Sequence, residues 1–290
     1  MFLITGITGH VGGAAAKHLL AAGKQVRALV RDKARASAWS AQGVELLQGE
    51  WQDSDALARA FEGVEGAYLM MPPSQTPSPD FREAKAVVAS YQKALASAAP
   101  PKLVALSSMG SDRSSGVGLI TSAYLLEEGL RDLTIPTAVI RAGSFFENYL
   151  YGLQAGQGGT LPTFYTPTDR ELPMIASEDI GAEVASLLTS DWTGKRIIEL
   201  GTLLSPEELA AAIGKALHRD VKAQPIPREA WAGALEQMGV PKGSTWAFEE
   251  MTDAINSGWI AFGIPGTEHV DGTTSAEQFF AAANSAQSAS

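Results

Sequence analysis

Cysteine is absent from the 290-residue chain. That excludes disulfides, thiolate nucleophiles and Cys-type zinc sites, and it fits a reducing compartment, so a cytoplasmic location is expected. Basic residues are in the minority: 22 Lys and Arg face 32 Asp and Glu, for a formal charge of −10. No basic run occurs, which argues against nucleic acid and anionic membrane surfaces as partners. Histidine occurs only four times, at His10, His18, His218 and His269, without ligand spacing, so no metal site is expected. No apolar run reaches membrane-spanning length, and no leader segment is expected before Phe2. A G-x-S-x-G nucleophile elbow is also missing.

Hydrophobic residues are plentiful, at 45%, enough for a sizeable core. Short apolar runs at 2–5, 25–30, 44–47, 66–70, 102–106 and 137–140 predict strands. Between them lie helical periodicities. One is Val11, Ala14, Ala15, His18, Leu19 and Ala22. Others are Phe81, Ala84, Val88, Tyr91 and Leu95, and Leu119, Ala123, Leu126, Leu130 and Leu133. His18 falls on an apolar stripe and is expected to pack there. Alternation of this kind predicts an α/β, doubly wound parallel sheet, a Rossmann fold, over residues 1–150. Residues 151–280 predict a smaller substrate lobe, partly returning to the sheet. There, 156–159 and 162–173 read as loop. Ser177 is a candidate helix cap, Lys195–Leu200 a strand, and Ser205-Pro-Glu-Glu208 a capping box opening a helix. Further helical patterns lie near 228–238 and 244–261. The Ala/Ser-rich stretch 281–290 predicts a frayed, disordered tail.

The stretch LITGITGHVGG, residues 3–13, sets Gly6, Gly9 and Gly12 three apart between a strand and a helix. Such a turn aims free helix N–H groups at one point, where the helix dipole favours phosphate and bare backbone lets a pyrophosphate approach. Dinucleotide binding is the expected use, against a tight turn that binds nothing. Thr8 and His10 stand in the turn. At the end of the second strand come Arg31, Asp32 and Lys33. A guanidinium there suits a 2′-phosphate, so NADP is expected over NAD, with Asp32 as an alternative ribose acceptor.

TGITGHVGG, ALVRDK, GVELLQGEWQD, LSSMGS and AVIRAGSFFEN together resemble the NmrA-like branch of the atypical short-chain dehydrogenase/reductases, as do IASEDIG and ELGTLLSPEELAAAIGKALHRDV. The resemblance covers essentially the whole chain. It implies NADPH-dependent quinone or dye reduction, with a small-molecule acceptor and a homodimer left open. A non-catalytic NADP sensor acting through a protein partner is the alternative, and a reductase or isomerase of phenolics a third. The resemblance places Gly6, Thr8, Gly9, His10, Val11 and Gly12 at the phosphate turn, and Arg31 and Lys33 at the 2′-phosphate. Glu50 and Trp51 fall near adenine, and Met70, Met71 and Pro72 over the cofactor. Gly143 and Phe145, in the stretch from Ala142, lie beside the nicotinamide. Phe146 and Asn148 are implied to face the cleft. Trp231, Trp246, Phe248 and Trp259 are expected to pack in the smaller lobe more than to touch substrate.

Catalytic short-chain dehydrogenases pair a tyrosine with a lysine four residues on, and an upstream serine. Here Tyr124, with Ser107 and Ser108, is the candidate, but Glu127 and Glu128 hold the i+3 and i+4 positions. The chain departs from that pattern. Hydride transfer to a quinone-like acceptor needs mainly stacking and orientation, so Tyr124 is expected to contribute little as an acid.

Overall fold

The structure is a computed structural model and describes residues 1–288. The chain runs through β1 (Phe2–Thr5), α1 (His10–Ala21), β2 (Val26–Val30), α2 (Ser37–Ser40), β3 (Glu45–Gln48) and α3 (Ser54–Phe61). Next come β4 (Gly66–Leu69), α4 (Arg82–Ser97), β5 (Leu103–Ser108), α5 (Thr121–Leu130) and β6 (Thr137–Ala142). Then follow β7 (Ser144–Phe145), α6 (Tyr151–Ala155), β8 (Thr160–Thr163), β9 (Leu172–Ile175), α7 (Ser177–Thr189) and β10 (Lys195–Leu200). The last stretch holds β11 (Thr202–Leu204), α8 (Pro206–Leu217), β12 (Lys222–Pro225), α9 (Trp231–Gln237), α10 (Trp246–Asn256), β13 (Glu268–Val270) and α11 (Ala276–Ser288).

Eight strands pair in the order β13-β10-β6-β5-β4-β1-β2-β3, all parallel. This is the doubly wound α/β sheet. Parallel strands covered on both faces bury alternate residues to opposite sides. Phe2 and Ile4 accordingly join the core under α1 and α7, while Leu3 joins the core under α3, α4 and α5. Chain order reverses beside β1, between β1 and β4. That opens a crevice at the carboxyl ends of the strands, where ligands of open α/β sheets bind.

A third core belongs to the later residues and packs Phe146, Leu153, Leu161, Met174, Ile213 and Phe280 together. Of the segments expected to be loop, 164–171 is irregular as expected, but 162–163 and 172–173 belong to β8 and β9, and Gly156–Gly158 forms a single 3-10 turn. β8 pairs with β12, and β9 lies between β7 and β11. Pro162 and Pro173 mask both strands in the sequence, because proline usually marks a strand edge or a break. The return to the main sheet begins early: α7 and β10 already contribute Ile180, Val184, Leu188 and Ile198 to the core under α1.

Local signals explain several boundaries. Asp53 caps α3 by accepting from the N–H groups of Asp55 and Ala56, and Ser205 with Glu208 closes a reciprocal capping box on α8. Ser177 is the first residue of α7 rather than its cap, and Ala176 precedes it as the N-cap. Both the N–H and the hydroxyl of Ser177 donate to the Glu147 carboxylate. His18 does not pack into an apolar face. Its Nε2 meets Glu178 Oε1 at 2.8 Å, tying α1 to α7. The expected frayed tail is corrected as well: α11 continues through Ser288, anchored by Phe280, which is fully buried. Residues 289–290 of that expectation lie outside the described residues.

Candidate functional site

At the end of β1 the chain turns at Gly6, whose φ of +65° is a conformation that L side chains rarely adopt. The turn then brings Gly12 against it so closely that a Cβ there would sit 2.4 Å from the Gly6 carbonyl oxygen. Gly9 differs. It is exposed, and a Cβ would come no nearer than 3.3 Å to any other residue considered. Gly9 is the N-cap of α1 and offers no side-chain acceptor to the first N–H groups of the helix. Thr8 and His10 are exposed beside it, and Val11 is buried beneath. This is a cradle of bare backbone with free donors, and it fits a pyrophosphate.

One cleft of about 420 Å³ opens on the β2–β4 side of the turn, lined among others by Arg31, Glu50, Trp51, Met71 and Pro72. Arg31 and Lys33 are exposed. Asp32 caps its own turn by accepting from the Ala34 N–H at 2.8 Å, which leaves Arg31 as the cleft's cation. A 2′-phosphate fits such a group. Met70 leans over Gly6, with Sδ 2.6 Å from where a Cβ would stand. The Met70 carbonyl is held by the Tyr91 hydroxyl at 2.8 Å, which pins the end of β4.

On the other side, over the ends of β5 and β6, lies a cavity of about 510 Å³. Gly143, Phe145 and Asn148 line it, as do Ser107 and Ser108. Gly143 has no room for a side chain, since a Cβ would meet the Pro173 carbonyl at 2.5 Å. The far wall comes from the smaller lobe: Tyr149, Tyr151, Phe164, Tyr165, Phe248 and Met251. No Lys, Arg, His, Asp or Glu lines this cavity. Ser144 Oγ and the Tyr149 hydroxyl are 3.0 Å apart, and Tyr151 donates to the Pro162 carbonyl at 2.7 Å. Burial raises Tyr149 and Tyr165, and burial followed by the neighbouring Tyr165 pushes Tyr151 up to about 12.

Two expected cleft residues are placed elsewhere. Phe146 is 1% exposed and packs against Phe279 and Phe280, with centroids 5.5 and 6.3 Å away. It belongs to the core of the smaller lobe, because the helical turn that presents Phe145, Asn148 and Tyr149 to the cavity rotates Phe146 away. Tyr124 is half-buried on α5 and lines neither the cleft nor the cavity. Its neighbour Glu127 turns into the sheet, where it accepts from Arg141 Nε at 2.9 Å and Nη2 at 2.7 Å. Ser107 Oγ donates its one proton to the same carboxylate at 2.5 Å and lies 2.9 Å from Ser111 Oγ. The upstream serine that a dehydrogenase would use is thus tied to an ion pair under the cavity floor, while Glu128, at the position of the dehydrogenase lysine, pairs with Arg131.

Of the smaller-lobe aromatics, Trp231 is buried edge-on to Phe164, and Trp246 meets Phe81 edge-on. Trp259 is exposed under Arg113. Phe248 both packs on Phe164 and lines the cavity. Among the described residues no His/Asp/Glu cluster could hold a metal ion, and no helix is long and apolar enough to cross a membrane. Ser144 lies in the stretch from Ala142 to Phe145 that the resemblance places beside the nicotinamide, whereas sequence reasoning missed Tyr149, which directly follows a quoted motif, and Tyr165, which no spacing marked.

Comparison with known proteins adds four findings. The model of the NmrA-like family matches residues 1–264. Quinone oxidoreductase 2 of Escherichia coli is 27% identical over 255 residues, 84% of each chain. The (4-alkanoyl-5-oxo-2,5-dihydrofuran-3-yl)methyl phosphate reductase of Streptomyces griseus is 28% identical over 276 residues, 94% of this chain and 93% of the relative. Among solved structures, triphenylmethane reductase of Citrobacter sp. superposes with a TM-score of 0.81 at 22% identity, covering 98% and 99% of the two chains.

Proposed function

The chain belongs to the NmrA-like family, and from that premise we propose that it is an NADPH-dependent oxidoreductase passing hydride to a quinone-like, conjugated acceptor. One observation carries this reading: a phosphate-fitting turn beside the cleft that holds Arg31, and a separate cavity without charged lining, share one edge of the sheet. The similarity to a quinone oxidoreductase over most of both chains supports it. A cavity of about 510 Å³ with apolar and hydroxyl lining favours a small-molecule acceptor over NADP sensing alone.

NADPH, when bound, supplies a hydride from its nicotinamide ring. The protein's part is to hold and exclude. The open N-terminus of α1 at Gly9–Gly12 receives the pyrophosphate, and Arg31 receives the 2′-phosphate. Met70, Gly143 and Phe145 bound the space where the nicotinamide meets the acceptor. The aromatic wall of the cavity keeps water out and stacks the acceptor at reacting distance.

Consumption of NADPH by the purified protein, with a panel of quinones and dyes, tests the reading. Gly9→Val is the control, because Gly9 is exposed and a Cβ there meets only the Gly6 carbonyl oxygen, at 3.3 Å, while the branched side chain would occupy the pyrophosphate's space. We expect turnover with at least one quinone, and a roughly hundredfold or greater loss of NADPH affinity in Gly9→Val with unchanged melting. Tight NADPH binding without oxidation by any acceptor would replace this reading with the sensor.

A further inference from the structure

The groups that meet the acceptor's oxygen lie in one wall of the cavity. Ser144 comes from β7, Tyr149 from the turn that follows it, and Tyr165 from the segment after β8. Ser144 and Tyr149 share one hydrogen bond of 3.0 Å, and Tyr165 interacts with both. Three hydroxyls carry three protons, and the contacts among them engage those of Ser144 and Tyr149, so the Tyr165 proton remains for a guest. Burial raises both phenols, which keeps them protonated across the neutral range.

The rest of the lining decides what kind of guest fits. With no charged side chain at the wall, an anionic acceptor would lose its hydration and gain no counter-charge. A neutral carbonyl has the opposite balance. It enters at low cost, and its oxygen gains negative charge only as hydride arrives, where donors are already in place. We propose that Ser144, Tyr149 and Tyr165 form the acceptor clamp, selecting neutral carbonyl acceptors and rejecting anionic ones. The proposal rests on the oxidoreductase reading above. In the step itself, a carbon–hydrogen bond of the nicotinamide breaks and a new bond to hydrogen forms on the acceptor's conjugated system. The two electrons lost by the nicotinamide reduce the quinone to a hydroquinone monoanion. The clamp hydroxyls keep their own protons, and water supplies the second proton after release.

The experiment compares 1,4-naphthoquinone, its 2-sulfonate and a cationic triphenylmethane dye, which has no carbonyl. The variants are Tyr149→Phe, Tyr165→Phe, Ser144→Ala and Ser144→Thr. We expect the unmodified protein to favour the neutral quinone over the sulfonate by more than about tenfold in kcat/KM. Each hydroxyl deletion should cost roughly tenfold to a hundredfold with the quinone, at least about fivefold more than with the dye, while Ser144→Thr retains most of the rate. Equal losses with quinone and dye, or no preference against the sulfonate, would overturn the clamp. Calorimetric titration of the neutral quinone into the NADP-loaded protein separates the two readings. Absence of turnover in the unmodified protein defeats the oxidoreductase reading. Independently, affinity that Tyr149→Phe and Tyr165→Phe leave unchanged defeats the clamp, and affinity weakened about fivefold or more supports it.

Discussion

The cleft over β2–β4 and the cavity over β5–β6 flank the same glycine turn, yet they are chemically opposed. The first presents Arg31, Glu50 and Glu83 to solvent. The second is walled by aromatics and hydroxyls with no charge at all. Each suits a different part of one reaction. A phosphate-bearing ligand is read best by an exposed guanidinium that it can neutralise. A hydride acceptor is served best by a dry wall, where fixed dipoles act with little screening. Charge is not absent from the second region; it is hidden beneath it. Arg141, 6% exposed, and Glu127 cancel one another under the cavity floor, with Glu199 beside Arg141 in the sheet register and engaged by the Gly263 and Ile264 N–H groups.

The largest effect is expected from breaking that cancellation. Glu127→Ala would leave the Arg141 guanidinium buried and unpaired, a loss of about 3–5 kcal/mol. In a chain of this size that lowers the melting temperature by roughly 10 °C. Adding Arg141→Met should restore part of it, since no charge then stays buried and only the cavity left by Glu127→Ala remains. Thermal melting of the two single variants and the double variant measures the coupling. A shift under about 2 °C in Glu127→Ala would mean that Glu199, beside Arg141 in the sheet, neutralises it unaided, and that the two regions do not differ in the way described.

The opposition between the regions was only half visible in the sequence. The charged cleft was legible because its parts sit at strand ends: the glycine turn after β1 and Arg31 one residue past β2. The main sheet was legible for a related reason, since strands buried on both faces read as unbroken apolar runs. The hydroxyl wall was not. Tyr165 comes from a stretch where prolines hide β8 and β9, and it reaches Ser144 only through the pairing of β7 with β9 and the folding of the smaller lobe. The Glu127–Arg141 pair joins α5 to β6, and no local pattern couples those two positions. Phe146 shows the limit of a motif. Phe145 before it and Asn148 two residues on reach the cavity, while Phe146 itself turns into the opposite core and Glu147 turns to Ser177.

A smaller effect, confined to the charged side, sharpens the contrast. Arg31→Ala should weaken NADPH by about 1.5–3 kcal/mol, roughly tenfold to a hundredfold, and leave NADH nearly unchanged. Calorimetric titration of both nucleotides reads it directly. Because Arg31 is exposed and lines only the cleft, KM for the quinone at saturating NADPH should stay within about twofold. Equal losses for NADPH and NADH would show that the cleft reads something other than the 2′-phosphate.

The smallest effect is expected at Tyr124, the residue that dehydrogenase logic would place first. It lines neither region, and the position three residues on is committed to Arg141. The tyrosines that do face the cavity are other ones, Tyr149, Tyr151 and Tyr165, all shifted upward by burial. Tyr124→Phe keeps the ring and removes only the hydroxyl, so it isolates proton transfer from packing. We expect kcat with a neutral quinone to fall by less than about threefold, well under 1.4 kcal/mol of barrier. The pH profile gives an independent check. Upward-shifted phenols remain protonated to above their ordinary value near 10, so kcat should stay level between about pH 6 and 9 in both proteins. A loss approaching a thousandfold in Tyr124→Phe, or a falling limb below about pH 9 that the variant abolishes, would make Tyr124 the proton donor and move the chemistry out of the charge-free cavity.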